Sequence, residues 1–420
     1  MSELRVFDYV GRSMERLGFL KRLLKRVSLT STTNYENLGR DLISTVSQKI
    51  RVTATRERIE YINSRIRGNT LKSVKKEIDL WLKEGGNPPD IYVEIQDLYL
   101  ADPTIPSQVG RLVEDNWRRY PAFGTNLGLI RKGTYSLNTR GISFLHIVNA
   151  EEIGAFMKYD PENNPLRISK QQGLLLLYSF IENDGEVVIP LWKQLSSIST
   201  EFTEKEAGNL LPNIYKNILS RHRTKLLSID IRERLSVLEE TAANIQKIAM
   251  SEKSYGGTSP REISIRPRIE PYVDIGLLSK PNPTKYDYFF NEVGTRWINE
   301  FTGNEDSDAI GKFLERRFFH SIAHAWQIKT HELTTQDEIL PYLQRAAKAI
   351  SSSNDYSPID ELALMSGIWA LNDDCAILEP GVAHDVLIAY QKANPYKVRF
   401  TVDRTGALAH VRFMDESSPS

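Results

Sequence analysis

A single cysteine, Cys375, stands in 420 residues, so no intramolecular disulfide can form and no thiolate cluster can hold zinc or an iron–sulfur centre. A reducing compartment, the cytoplasm, is therefore expected. Asp373 and Asp374 precede this cysteine, and carboxylate neighbours raise a thiol's pKa, so it reads as a small packed residue and not as a nucleophile. No stretch reaches the ~18 uninterrupted apolar residues of a membrane span, and the N-terminus lacks the apolar core and cleavage site of a secretory signal. The expectation is a chain without a membrane partner. A Gly-rich phosphate loop, a dinucleotide fingerprint, a Gly-x-Ser-x-Gly elbow and a His-Glu-x-x-His pair are missing too, which argues against nucleotide hydrolysis, hydride transfer and zincin proteolysis. No cofactor is called for.

Net charge is also lacking, since 54 Lys plus Arg balance 54 Asp plus Glu. That zero hides an asymmetry. Residues 1–83 hold 18 basic against 9 acidic residues, so contact with a polyanion is expected to begin at this end. With 40% hydrophobic and 26% charged residues, the chain has the composition of a folded protein and enough apolar material for several cores.

The chain reads as mainly α with short β-hairpins, in several domains. A basic helical region spans 1–83, where Leu17, Leu20, Leu23, Leu24 and Val27 recur at helical spacing and Arg22, Lys25 and Arg26 lie on the opposite face. Such a face suits DNA, an anionic surface or plain solvation. Turn residues at Glu84–Pro89 close this region. Residues 90–150 form a second unit, and 165–250 form a helical unit in which Asp184-Gly185 reads as a turn, Glu186–Leu191 as a short strand and Thr203–Arg221 as a helix. After a break at Ser251–Pro260 come a unit at 259–303, whose core may draw on residues upstream, and a helical unit at 308–414. The last has helices near 310–328, 335–350, 358–371 and 382–393, then a hairpin whose strands alternate at Val398, Phe400 and Val402 and at Ala409, Val411 and Phe413.

The most informative feature is a weak internal repeat. Gly128-Leu129-Ile130, a basic turn through Arg131 and Lys132, Tyr135-Ser136-Leu137 and Asn138-Thr139-Arg140-Gly141 form its first copy. Gly276-Leu277-Leu278, a longer turn through Lys280 and Lys285, Asp287–Phe290 and Asn291-Glu292-Val293-Gly294 form its second. In each, a glycine ends a helix, an apolar pair enters a strand, a polar turn projects, and Asn opens the next helix. Both copies resemble the wing of winged-helix proteins, at the level of fold and without pointing to one family. The second departs from the usual pattern at Phe290, where Thr or Ser is expected.

The resemblance implies tandem winged-helix modules flanked by helical domains, with 165–250 either a third such module or a helical connector. Each wing would follow a recognition helix: Ser107–Tyr120 with Arg111, Arg118 and Arg119 for the first, and Ser259–Asp274 with Arg261, Arg266 and Arg268 for the second. Those side chains would reach base edges or phosphates of double-stranded DNA, and Arg131, Lys132, Lys280 and Lys285 the adjacent backbone. The expected function is non-enzymatic DNA binding within a larger complex. The alternative is an adaptor that holds protein partners in a repair, segregation or defence assembly.

One cluster bears on catalysis. Arg317 and His324 lie seven positions apart on the expected 310–328 helix, similar to the Arg and His signature of HEPN ribonucleases, and His320 and His324 lie one turn apart, as metal ligands can. The bland alternative is a partly buried helix whose histidines satisfy polar contacts, and it is the expectation taken, with no metal site. The acidic residues Asp355, Asp360, Glu361, Asp373, Asp374 and Glu379 read as a solvated surface.

Overall fold

A computed structural model describes residues 4–7, 17–29, 40, 43–44, 46–52, 75–85, 91–96, 119–147, 166–223, 229–250, 265–281, 287–302, 305–351, 356–403 and 406–414. The described chain is mainly helical, and its small sheets have two or three strands. Its buried apolar side chains form one continuous cluster that runs from Leu4 to Val411.

Helix α1 (Leu17–Leu29) buries Leu17, Leu20, Leu23, Leu24 and Val27, the stripe read from the sequence. Beyond it, β1 (Lys49–Val52) pairs antiparallel with β2 (Ile91–Glu94), and α2 (Lys75–Glu84) lies between them in sequence. Helices α3 (Arg119–Asn126) and α4 (Thr139–His146) flank the first repeat copy, and α1 packs on both.

The axis of the molecule is α5 (Lys170–Ile198), opened by a capping box between Ser169 and Gln172. Here the structure corrects the expected turn and strand. Residues 186–191 are helical, and α5 is only broken at Asp184, whose φ/ψ of −136° and 15° are not helical. Val187, Val188, Ile189 and Leu191 are all buried, and an apolar run buried on every side carries no periodicity to separate strand from helix. Gly185 serves close packing and not a turn, since a Cβ there would lie 3.1 Å from Ile310 Cγ2.

The strand of this region is instead β3 (Glu201–Thr203), followed by α6 (Glu204–Arg223) and α7 (Ile229–Met250). A 3₁₀ turn at Arg266–Arg268 leads into α8 (Glu270–Ile275), then β4 (Leu278–Ser279), β5 (Asp287–Phe290) and α9 (Glu292–Asn299). The three strands form one antiparallel sheet in the order β3-β5-β4. Helices α6, α8 and α9 all pack on α5.

The expected 310–328 helix is two helices, α10 (Ser307–Arg316) and α11 (Phe318–Ala325), broken at Arg317. Then come β6 (His331–Glu332), α12 (Gln336–Ile350), β7 (Ser357–Pro358), α13 (Ile359–Asp374), β8 (Ala376–Ile377) and α14 (Pro380–Ala393). The hairpin β9 (Val398–Val402) and β10 (Leu408–Phe413) forms as expected, with β7 added on the far side of β10. Cys375 is exposed, not packed: it ends α13 in the left-handed conformation.

Candidate nucleic-acid interface

The two repeat copies share their local geometry. Gly128 (φ 69°) and Gly276 (φ 85°) take the left-handed conformation after α3 and α8, which a side chain would strain. A bridge between Ile130 and Leu137 closes the first hairpin, and β4 with β5 closes the second. Asn138 accepts from the Thr139 N–H and Asn291 from the Gly294 N–H, each at 2.8 Å. A Cβ on Gly141 would lie 2.2 Å from the Leu129 carbonyl oxygen, and one on Gly294 2.0 Å from that of Leu277. Only glycine lets the closing helix approach the entering strand so closely.

Around this shared frame the two copies present their cations in opposite ways. In the first, Arg131 and Lys132 are exposed in the turn. The helix α1 that packs beside it carries Lys21, Arg22, Lys25 and Arg26 half-buried on its polar side, with the Lys21 ammonium donating to the Arg167 carbonyl at 2.8 Å. Burial, then the charges of Arg22 and Lys21, lower the Lys25 pKa. A nearby polyanion would relieve such crowding of like charges.

In the second copy the expected contacts are turned inward, which corrects that part of the reading. Arg268 has no exposed surface and forks onto Asp184, Nε to Oδ2 at 2.5 Å and Nη2 to Oδ1 at 2.9 Å, with a further bond to Tyr215. Lys280 is buried and donates to Glu270 Oε1 at 2.6 Å, an oxygen that also accepts from the Tyr288 hydroxyl. Arg266 bonds to Glu204 at 2.5 Å. Ile265 and residues 267–273 are buried, so this element shows little surface to any groove. Arg111, Arg118, Arg261 and Lys285 lie outside the described residues, as does the side chain of Arg119.

Arg140, in the first copy, anchors that unit from beneath. It is buried and ion-paired to Glu182 on α5 and Glu361 on α13. Burial opposes its charge, yet the two carboxylates outweigh burial and hold the guanidinium well above its ordinary range. The same burial pushes Glu361 up. Nothing in the motif Asn138–Gly141 signalled these partners, which come from helices about 40 and 220 positions away.

No protein-family model, curated protein or solved structure matches the chain.

Arg317 and His324 are brought together, because both contact Glu300: Nη2 to Oε2 at 3.1 Å and Nδ1 to Oε1 at 2.7 Å. His320 is engaged on both nitrogens, Nδ1 with Glu379 and Nε2 with Glu332, each at 3.0 Å. These bonds raise its pKa to about 9, the Glu379 hydrogen bond contributing most. Carboxylates thus face Arg317, His320 and His324, and the contacts tie α11 to α9, β6 and the start of α14. Among the described residues no group of three or more His, Cys, Asp or Glu is placed to hold a metal ion, and no helix is long and apolar enough to cross a membrane.

Proposed function

We propose that the protein binds double-stranded DNA without catalysing a reaction, and that the first repeat unit with α1 is its contact surface. The carrying observation is the exposed Arg131–Lys132 turn on a unit whose neighbouring helix crowds Lys21, Arg22 and Lys25. Support for the winged-helix character of both units comes from the paired glycines, the Asn caps and, in the second, the order α5, β3, three helices and the β4–β5 hairpin, with β3 beside β5. The second unit then works as a scaffold that builds the core around α5.

Electrophoretic mobility shift of duplex DNA at ~50 mM and ~200 mM salt tests the reading. Because each neutralised phosphate releases counterions, affinity falls steeply between the two conditions. No shift at micromolar protein in the lower salt overturns it.

One observation favours a second reading, an adaptor for protein partners: among the described residues of the second expected recognition helix, Ile265 and residues 267–273 are buried and offer little surface to a groove. A stoichiometric partner that co-purifies with a chain unable to shift DNA would establish that alternative.

A further inference from the structure

The break in α5 is filled by residues 4–7. In an unbroken helix the Glu186 N–H would bond to the Glu182 carbonyl, four residues earlier. Here Arg5 takes both groups. Its main-chain carbonyl accepts from the Glu186 N–H at 3.2 Å, and its guanidinium Nη1 donates to the Glu182 carbonyl at 2.9 Å. The Arg5 N–H donates to the Glu186 carboxylate at 2.9 Å, and Nε to the Ser307 carbonyl at 3.2 Å. Further contacts follow along the segment. The Phe7 N–H donates to Asp184 Oδ1 at 3.0 Å, at the residue whose dihedrals break the helix, and Arg234 donates to the Val6 carbonyl at 2.6 Å. Leu4, Val6 and Phe7 are buried, with the Phe7 ring edge-on to Phe123 and Phe180.

The two helical groups that Arg5 occupies are each other's natural partners. Withdrawal of residues 4–7 therefore need leave neither of them unpaired: the Asp184 backbone turns helical and the Glu186 N–H finds Glu182. Two arrangements that each pair the same helical amide and carbonyl meet a physical requirement for a switch. Beside the break lies a cleft of about 380 Å³ lined by Arg5, Tyr178, Glu182, Glu315, Asp360 and His384 among others, so movement of Arg5 also changes the wall of that cleft.

We propose that residues 4–7 are a displaceable strap, and that α5 exchanges between a broken form with the strap seated and a continuous form with it withdrawn. The strap operates whether or not the chain binds DNA.

Residue-resolved hydrogen exchange on the full chain tests this, with Arg5→Ala and Val6→Asp as strap-releasing variants. Arg5→Ala removes the guanidinium bonds and leaves the apolar anchors; Val6→Asp places an unpaired charge in a buried site and forces the segment out. The expected result is that the Phe7 amide exchanges faster by about tenfold or more in either variant, while the Glu186 amide keeps its protection to within about twofold, because it has found Glu182. Loss of protection at Glu186 in step with Phe7 would overturn the proposal and make the segment a fixed part of the core. If Val6→Asp does not fold, the Arg5→Ala comparison decides by the same criterion.

Discussion

At the scale of single residues, some cations are buried in ion pairs that hold the fold, while others lie exposed on a turn. Arg268 and Asp184 are both fully buried and bonded through two atoms each. Removing one partner leaves a buried charge alone, so Arg268→Ala is expected to lower unfolding free energy by about 3–5 kcal/mol in a denaturant titration. Arg131→Ala, at an exposed turn, should change it by less than about 0.5 kcal/mol. Nothing in the sequence around these two arginines distinguishes them; the difference lies in Asp184, 84 positions from Arg268. His320 gives a pH signature of its own. Its pKa rises from 6.5 to about 9 in the folded chain, chiefly through the Glu379 hydrogen bond. A raised pKa contributes stability that is complete below pH 6.5 and disappears as pH passes 9. Melting temperatures of the wild type and His320→Gln should therefore differ most near pH 6 and converge by about pH 10; a constant difference across that range would contradict the assignment.

At the scale of elements, the repeated hairpin units depend on two glycines that admit no side chain. Gly141 and Gly294 each place a hypothetical Cβ about 2 Å from a leucine carbonyl oxygen. Gly141→Ala and Gly294→Ala should each cost about 1–3 kcal/mol, since the closing helix must move away from the strand. Calorimetric melting of each variant checks this, and an unshifted transition for either would show that its helix is free to retreat. These units were legible in the sequence because their signals are local: a left-handed glycine, an Asn cap and a turn lie within about 20 residues. The α1 stripe and the β9–β10 hairpin were legible for the same reason. The strand assigned to residues 186–191 was not a strand, because Asp184-Gly185 imitates a turn and Val187–Ile189 is β-branched, while tertiary burial on all sides made the segment helical. Strand β3 has only three residues and pairs with β5 more than 80 positions away, so no local pattern announced it. Arg317 carried no Pro or Gly to mark the break between α10 and α11. The inward turn of Lys280 and Arg268 was likewise invisible, since both depend on acidic partners set by packing.

At the scale of the whole molecule, zero net charge is distributed unevenly. Basic residues concentrate before residue 84, and the described part of that region includes α1, which packs on the unit with the exposed basic turn. In the second unit the described Arg266, Arg268 and Lys280 are spent on internal pairs, and the unit lies against the central helix α5. Under the proposed function, DNA contact belongs to the first unit and scaffolding to the second, although their hairpins share one plan. The most direct test is the slope of log binding constant against log salt for duplex DNA, measured for the wild type and for Arg131→Ala/Lys132→Ala. If both side chains neutralise phosphates, the double variant remains folded and its slope is shallower by about two units; an unchanged slope in a folded double variant would contradict the assignment of this turn to the DNA interface.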